Sequence, residues 1–256
     1  MPKLTDKFNW EHGEYSTFNA FLAGIECEVE SVRGLEGHVD SFIATNDGSL
    51  RNNGIEYISL PMTRDNLIPE FKKLHASMQH YNRDEAFSPR TSTHVHINCR
   101  TLTTEQLKNL MLFYALFEEV FFSMVDADRR HNIHCVPLTE TYLPINYRKD
   151  IIAVVKNWHK YTAFNMLPII KQGTVEFRHL QGTRDAGLLD EWLTCLQNLW
   201  EICQAETITA QNIVDERQIR QWFRDIFAHS PRVMALEPAV PHMIRNSLLD
   251  VKFALI

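Results

Sequence analysis

The stretch Thr93-His94-Val95-His96-Ile97-Asn98-Cys99 decides the fold of this chain. Polar and apolar residues alternate strictly through it, which is the period of a half-buried strand. His94, His96 and Asn98 then project from one face, and Val95, Ile97 and Cys99 from the other. Two further stretches repeat the device. Within residues 21–32, Gly24-Ile25-Glu26-Cys27-Glu28-Val29 sets Glu26 and Glu28 against Ile25, Cys27 and Val29. Thr174-Val175-Glu176-Phe177-Arg178 sets Glu176 and Arg178 against Val175 and Phe177. Three strands therefore offer an apolar face suited to packing beneath helices and a second face of acids, imidazoles and a guanidinium.

Outward from these strands, residues 38–45 and 55–60 are β runs. Between them lie the turn residues Asn46-Asp47-Gly48-Ser49 and Asn52-Asn53-Gly54, so a hairpin with a long loop is predicted, ended by Pro61. Residues 161–167 and 174–180 read as two strands split by Gly173. A helix is predicted over 64–81. Thr103 and Gln106 have capping-box spacing, and Leu107, Leu110, Met111, Tyr114, Phe117, Phe121 and Met124 recur at helical intervals, so the helix they open buries one face. Residues 1–18 read as a loose leading segment and 129–147 as a loop rich in Pro, Asn and His. Further helices are expected at 149–158, at 185–206, from 213 and near 240–252. Strands first, with helices between and after, predict an α+β fold: an antiparallel sheet covered by helices on one face. Residues 1–210 form the expected catalytic domain, and 211–256 a helical C-terminal extension packed on it. Trp222 and Phe223 in that extension read first as core; a self-association face making a homo-oligomer is the alternative.

Composition narrows the function classes. The 256 residues are 45% hydrophobic and 23% charged, the mixture of an ordinary globular core. A formal charge of −6 argues against general nucleic-acid binding, which needs a basic face. The five cysteines form no Cys-x-x-Cys pair, and the polar amino terminus has no signal-like apolar run. Together these predict reduced thiols in a cytoplasmic protein. The most apolar stretch, residues 110–117, is far shorter than the roughly 20 residues a membrane span needs.

Each polar pair alone has an ordinary explanation as solvated sheet surface or a surface ion pair. Their recurrence is what points to chemistry. Glu26, Glu28 and Glu176 converge if the three strands are neighbours, and Glu56 joins from the hairpin. Carboxylates side by side raise one another's pKa, a conflict that divalent cations resolve. A carboxylate-dominated set with one or two imidazoles suits Mg²⁺ or Mn²⁺, and Mg²⁺ commonly completes its shell with substrate phosphates. That points to a nucleotide. The sequence has no Walker loop, Rossmann turn or kinase signature, so metals, arginines and sheet residues must hold it. The rival reading is a zinc hydrolase using His94, His96 and a third ligand from Glu176 or from His131-Asn132-Ile133-His134-Cys135.

Taken in order, Gly24-Ile25-Glu26-Cys27-Glu28, Asp47-Gly48-Ser49, Gly54-Ile55-Glu56-Tyr57-Ile58-Ser59-Leu60-Pro61, His94-Val95-His96-Ile97-Asn98, Tyr161 to Asn165 and Thr174-Val175-Glu176-Phe177-Arg178 resemble the amidoligase family. Gly182-Thr183-Arg184-Asp185 and a helix carrying Trp192 continue the likeness. That family is similar to glutamine synthetase and glutamate–cysteine ligase. The resemblance implies a glutamine-synthetase-like sheet and an ATP-dependent carboxylate–amine ligase that works through an acyl phosphate with two Mg²⁺ or Mn²⁺ ions. It implies Glu28 and Glu56 at one metal, Glu26, His94 and Glu176 at the other, and His96 and Arg184 toward the nucleotide. Arg178 would meet the transferring phosphate, with Glu176 and Glu56 beside it in the catalytic set. Asp47, Ser49 and Asn165 would touch the carboxylate and amine substrates. A catalytically inactive, nucleotide-binding homologue is the third reading. The chain departs from the family at Ser92-Thr93, where a glycine is usual, and at Lys160, where an arginine often precedes the tyrosine.

Overall fold

The three alternating stretches pair with one another. In the computed structural model, which describes residues 2–10, 13–31, 40–52, 54–78, 85–140 and 143–256, six strands form one open antiparallel sheet. They are β1 (Ala23–Val29), β2 (Phe42–Asn46), β3 (Ile55–Ser59), β4 (Thr93–Asn98), β5 (Phe164–Asn165) and β6 (Thr174–Phe177), in the order β2-β3-β1-β4-β6-β5. The α+β expectation holds.

The apolar face is the core. Ile25, Val95 and Phe177 are buried beneath helices α1 (Arg64–Ser77), α2 (Thr104–Phe122) and α3 (Ala186–Ala205). The capping box forms as predicted: Gln106 N donates to Thr103 Oγ1 at 3.2 Å, and Thr103 N donates to Gln106 Oε1 at 2.9 Å. Tyr114 of α2 stacks on Phe164 at 4.8 Å and meets Phe177 edge-on at 5.8 Å, so α2 is seated on β5 and β6. Two later helices, α4 (Glu216–Phe227) and α5 (Arg245–Leu255), continue this layer. Trp222 of α4 packs edge-on against Phe113 at 5.2 Å, and Trp222 and Phe223 are both fully buried. They are core, not a surface for self-association.

The structure differs from expectation where local side-chain bonds compete with strand pairing. Residues 161–167 yield only the two-residue β5. Trp158 Nε1 donates to Thr162 Oγ1 at 2.7 Å and to Phe164 O at 2.9 Å, which holds the preceding segment in a turn. Strand β6 stops at Phe177 because the carbonyls of Arg178 and His179 accept from the Arg129 guanidinium, at 2.7 and 2.8 Å, in place of a strand neighbour. The stretch expected as a plain loop over 129–147 is organised into short 3₁₀ turns, Ala127–His131 and Leu138–Glu140, and a short helix, Leu143–Tyr147. Buried Glu118 ties this stretch to α2, accepting from Thr139 N at 3.0 Å and Thr139 Oγ1 at 2.8 Å. The leading segment is anchored rather than loose. Leu4 is buried with its N–H on Leu102 O at 3.0 Å, and Trp10 Nε1 donates to Ile169 O at 2.6 Å. Parts of several expectations lie outside the described residues: 1 and 11–12 of the leading segment, the end of the first β run at 32, the start of the second at 38–39, Asn53, the end of the first helix at 79–81, and 141–142 of the stretch 129–147. Among the described residues no helix is long and apolar enough to cross a membrane.

Candidate active site

Strand register assembles the polar face. Glu26 stands opposite His94, Glu28 opposite Glu56, and Glu176 opposite both His96 and Asn165. Arg178 follows at the end of β6, its Nη1 donating to Glu176 Oε1 and its Nε to His134 O at 3.0 Å. Glu26, Glu28, Glu56, His94, His96, Glu176 and Arg178 thus gather on one surface.

Hydrogen bonding fixes how His94 is presented. Ser92 N and Oγ both reach Glu28 Oε2, at 2.7 and 2.6 Å, and Ser92 Oγ also lies 2.7 Å from His94 Nε2. Ser92 Oγ has one proton to donate, and His94 Nε2–H can donate to that oxygen in turn. His94 Nδ1 stands 3.3 Å from Glu26 Oε2 and 3.2 Å from Glu176 Oε1; an Nδ1–H donates to these acids, and the deprotonated nitrogen would offer its lone pair to a bound ion. Adjacent ligands of an octahedral ion with bonds of roughly 2.1 Å are about 3 Å apart, so this spacing fits a shared Mg²⁺ or Mn²⁺. Asn165 Nδ2 donates to Glu176 Oε2 at 2.7 Å and orients that carboxylate.

Ligand-capable atoms form three overlapping groups, each within 4.8 Å: Glu26, Glu56 and His94; Glu26, His96 and Glu176; Glu28, Asp47 and Glu56. The electrostatics reflect this crowding. Burial and then the Glu26 and Glu28 charges push the Glu56 carboxyl up to about 7. Burial works against ionisation of Glu26, yet the nearby His96 and His94 rings hold it well below the usual carboxylate range. Burial opposes charge on His96, but Glu26 Oε1 at 3.1 Å raises it above the ordinary imidazole value. No group among the described residues joins both histidines, as a two-histidine zinc site would require. The 131–135 stretch supplies no such group either. Its Cys135 packs against Phe122 and Ala163, and burial pushes its thiol up to about 12.

Two cavities open at opposite ends of this face and meet at Glu26. The smaller, about 270 Å³, has apolar walls from Tyr15, Leu22, Ile58, Leu60 and Pro61, with His96, Arg100 and Lys171 also lining it. The larger, about 510 Å³, holds Glu28, Glu56, Asp47, Ser49, His94 and Arg178. Asp47 and Ser49 line this cavity together, joined by a bond from Ser49 N to Asp47 Oδ1 at 2.8 Å. Asn165 lines neither cavity and serves Glu176. Arg184 is exposed, lines neither cavity, and acts on the His75 ring instead. Sequence reading did not single out Arg90 or Arg129, and noted Ser92 and Lys160 only as departures from the family pattern. Ser92 carried a further signal, since residues 92, 94, 96 and 98 share a face by alternation.

The sequence model of a family described as "Putative amidoligase enzyme" matches residues 26–200, well over half of the chain. The chain belongs to the amidoligase family. No curated protein matches it. In this amidoligase the matched region spans β1 to α3 and so contains both cavities' central residues. The family is one of ligase-type enzymes, and its member here has a donor set of carboxylates and imidazoles suited to hard divalent ions. Ser92, in the Ser92-Thr93 pair that precedes His94, is the group that bridges Glu28 and His94.

Proposed function

We propose that the chain is an ATP-dependent carboxylate–amine ligase that forms an amide through an acyl phosphate. The observation that carries this reading is the set of overlapping acid-rich groups, Glu26/Glu56/His94, Glu26/His96/Glu176 and Glu28/Asp47/Glu56, set between two cavities with Arg178 alongside. Bound divalent ions would neutralise these carboxylates and the phosphate oxygens as charge is redistributed. Glu26, His94 and Glu176 would hold one, and Glu28 and Glu56, with Asp47, the other. The smaller cavity suits a nucleotide base, with apolar walls for the ring and His96 on the side facing the clusters. The larger cavity takes the carboxylate, and Arg178 lies on its wall.

A carboxylate is a poor electrophile, so it needs activation. Its oxygen attacks the γ-phosphorus and ADP leaves. The amine nitrogen then attacks the acyl carbon, phosphate departs with the oxygen it received, and the nitrogen loses a proton. Arg178 offers a planar fork of donors to the phosphoryl oxygens. The protein's contribution is positioning and fixed charge rather than a covalent intermediate of its own.

A thermal-shift experiment tests this. Mg²⁺ or Mn²⁺ should raise the melting temperature, and more so with a non-hydrolysable ATP analogue, because both bind only the folded state. Glu28→Ala should blunt the response. No shift with either ligand would contradict the reading. Binding without any ADP release, across a panel of carboxylates and amines, would favour the non-catalytic nucleotide binder.

A further inference from the structure

We propose that the larger cavity selects a carboxylate substrate bearing a second anionic group, a carboxylate or a phosphate, held by Arg90, Arg129 and Lys160. This rests on the ligase reading, in which the acids of the cavity are occupied by divalent ions.

The cavity's charges are segregated. Its acids come from β1, β3 and the hairpin loop, and each is already engaged: Glu26 by the histidines, Glu28 by Ser92, Asp47 by Ser49 N, and Glu56 by Thr45 Oγ1 at 3.3 Å. Its cations come from loops at the end of the sheet where β4 begins and β6 finishes. Arg178 is paired with Glu176. Arg90, Arg129 and Lys160 form no ion pair among the described residues.

Arg129 makes this more than a solvated rim. It is only 2% exposed, and its Nε and Nη2 are committed to two neutral carbonyls, so its charge has no counter-charge in contact. A buried cation without a carboxylate is costly unless something anionic arrives. Arg90 is fixed toward the same cavity by a bond from its Nη1 to Ser49 O at 3.2 Å, and Lys160 sits over the Tyr161 ring at 5.5 Å. His134, in the same wall, feels the field. Burial and then the charges of Arg178, Arg129 and Arg90 lower its pKa, although Glu28 opposes them. With divalent ions on the four acids, Arg90, Arg129 and Lys160 remain a cationic wall of the cavity with no ion-pair partner among the described residues. A monocarboxylate bound at the clusters places no anion against that wall, whereas a dianion spanning the cavity sets its second group there.

Calorimetry on the full chain, loaded with Mn²⁺ and a non-hydrolysable ATP analogue, tests the idea with three probes. Glutarate carries a second carboxylate, 4-phosphonobutyrate a phosphonate, and pentanoate neither. Both dianions should bind at least about tenfold tighter than pentanoate, the gain of charge-assisted contacts to this cationic wall. The better of the two identifies the second group. In Arg90→Gln/Lys160→Gln, whose altered side chains are exposed and leave the fold intact, most of that preference should disappear. Equal binding of pentanoate, no binding of either dianion, or a preference unchanged in the double variant would overturn the proposal. Mn²⁺ occupancy is read on the same samples by electron paramagnetic resonance. Bound Mn²⁺ without dianion preference sinks this inference alone, whereas absence of bound Mn²⁺ sinks the ligase reading and this inference together.

Discussion

Ser92 Oγ lies 2.7 Å from His94 Nε2 and thereby decides which nitrogen of that ring faces the acids. The same hydroxyl donates to Glu28 at 2.6 Å, so one side chain orders a ligand from each proposed metal cluster. Partners of this kind are worth about 10–100-fold in metal affinity. Ser92→Ala should weaken Mn²⁺ binding by a factor in that range, while Ser92→Thr, which keeps the hydroxyl, should recover most of it. Nitrogen-15 shifts of His94 should show loss of the single tautomer in the alanine variant. Unchanged Mn²⁺ affinity in Ser92→Ala would remove Ser92 from the site's design.

Arg178 shares a face with Glu176 but cannot ligate a metal, because its guanidinium stays protonated. If it clamps the transferring phosphoryl group, the planar fork matters and not only the charge. Arg178→Lys should then retain Mn²⁺ binding yet lose nucleotide turnover by at least roughly tenfold, about 1.4 kcal/mol of transition-state stabilisation. Turnover close to wild type would reduce Arg178 to a counter-charge for Glu176.

His75 offers a stability test away from the site. Its ring packs against Phe71 at 4.4 Å with neither nitrogen hydrogen-bonded, and burial, then the Arg184 charge, lowers its pKa to about 4. Above the unfolded value near 6.5 both states are neutral and pH has no effect through this residue. Below it the unfolded chain takes up a proton that the folded chain refuses, so stability falls as pH drops from 6.5 toward 4. The loss approaches about 1.4 kcal/mol per pH unit. His75→Leu should match or exceed wild type at pH 7 and be clearly more stable at pH 5, as read by urea midpoints. Parallel pH profiles for the two proteins would show that the folded ring takes up a proton as readily as the unfolded one.

What the sequence displayed was whatever strand and helix periodicity can encode. Ile25 and Glu26, Val95 and His96, and Phe177 and Glu176 are pairs of neighbours sorted to opposite faces by the pleat, so the core and the acidic surface were readable together. The capped helix α2 was readable for the same reason. Arg129 and Lys160 were not, because they reach the cavity from a 3₁₀ turn and a loop, where no repeat relates position to direction. Arg184 lies beyond the reach of that periodicity. Alternation ends with β6 at Phe177, and beyond it the chain turns away toward His75. The family resemblance put Asn165 near the site, and register across β5 and β6 aims it at Glu176.

The most direct measurement is the number of Mn²⁺ ions bound per chain, counted by electron paramagnetic resonance titration with a non-hydrolysable ATP analogue present. Two ions per chain are predicted in the wild type, with one site lost in Glu28→Gln and the other in Glu176→Gln. A wild-type chain that binds no Mn²⁺ with the nucleotide analogue at saturating concentration would contradict the paired-metal ligase at its root.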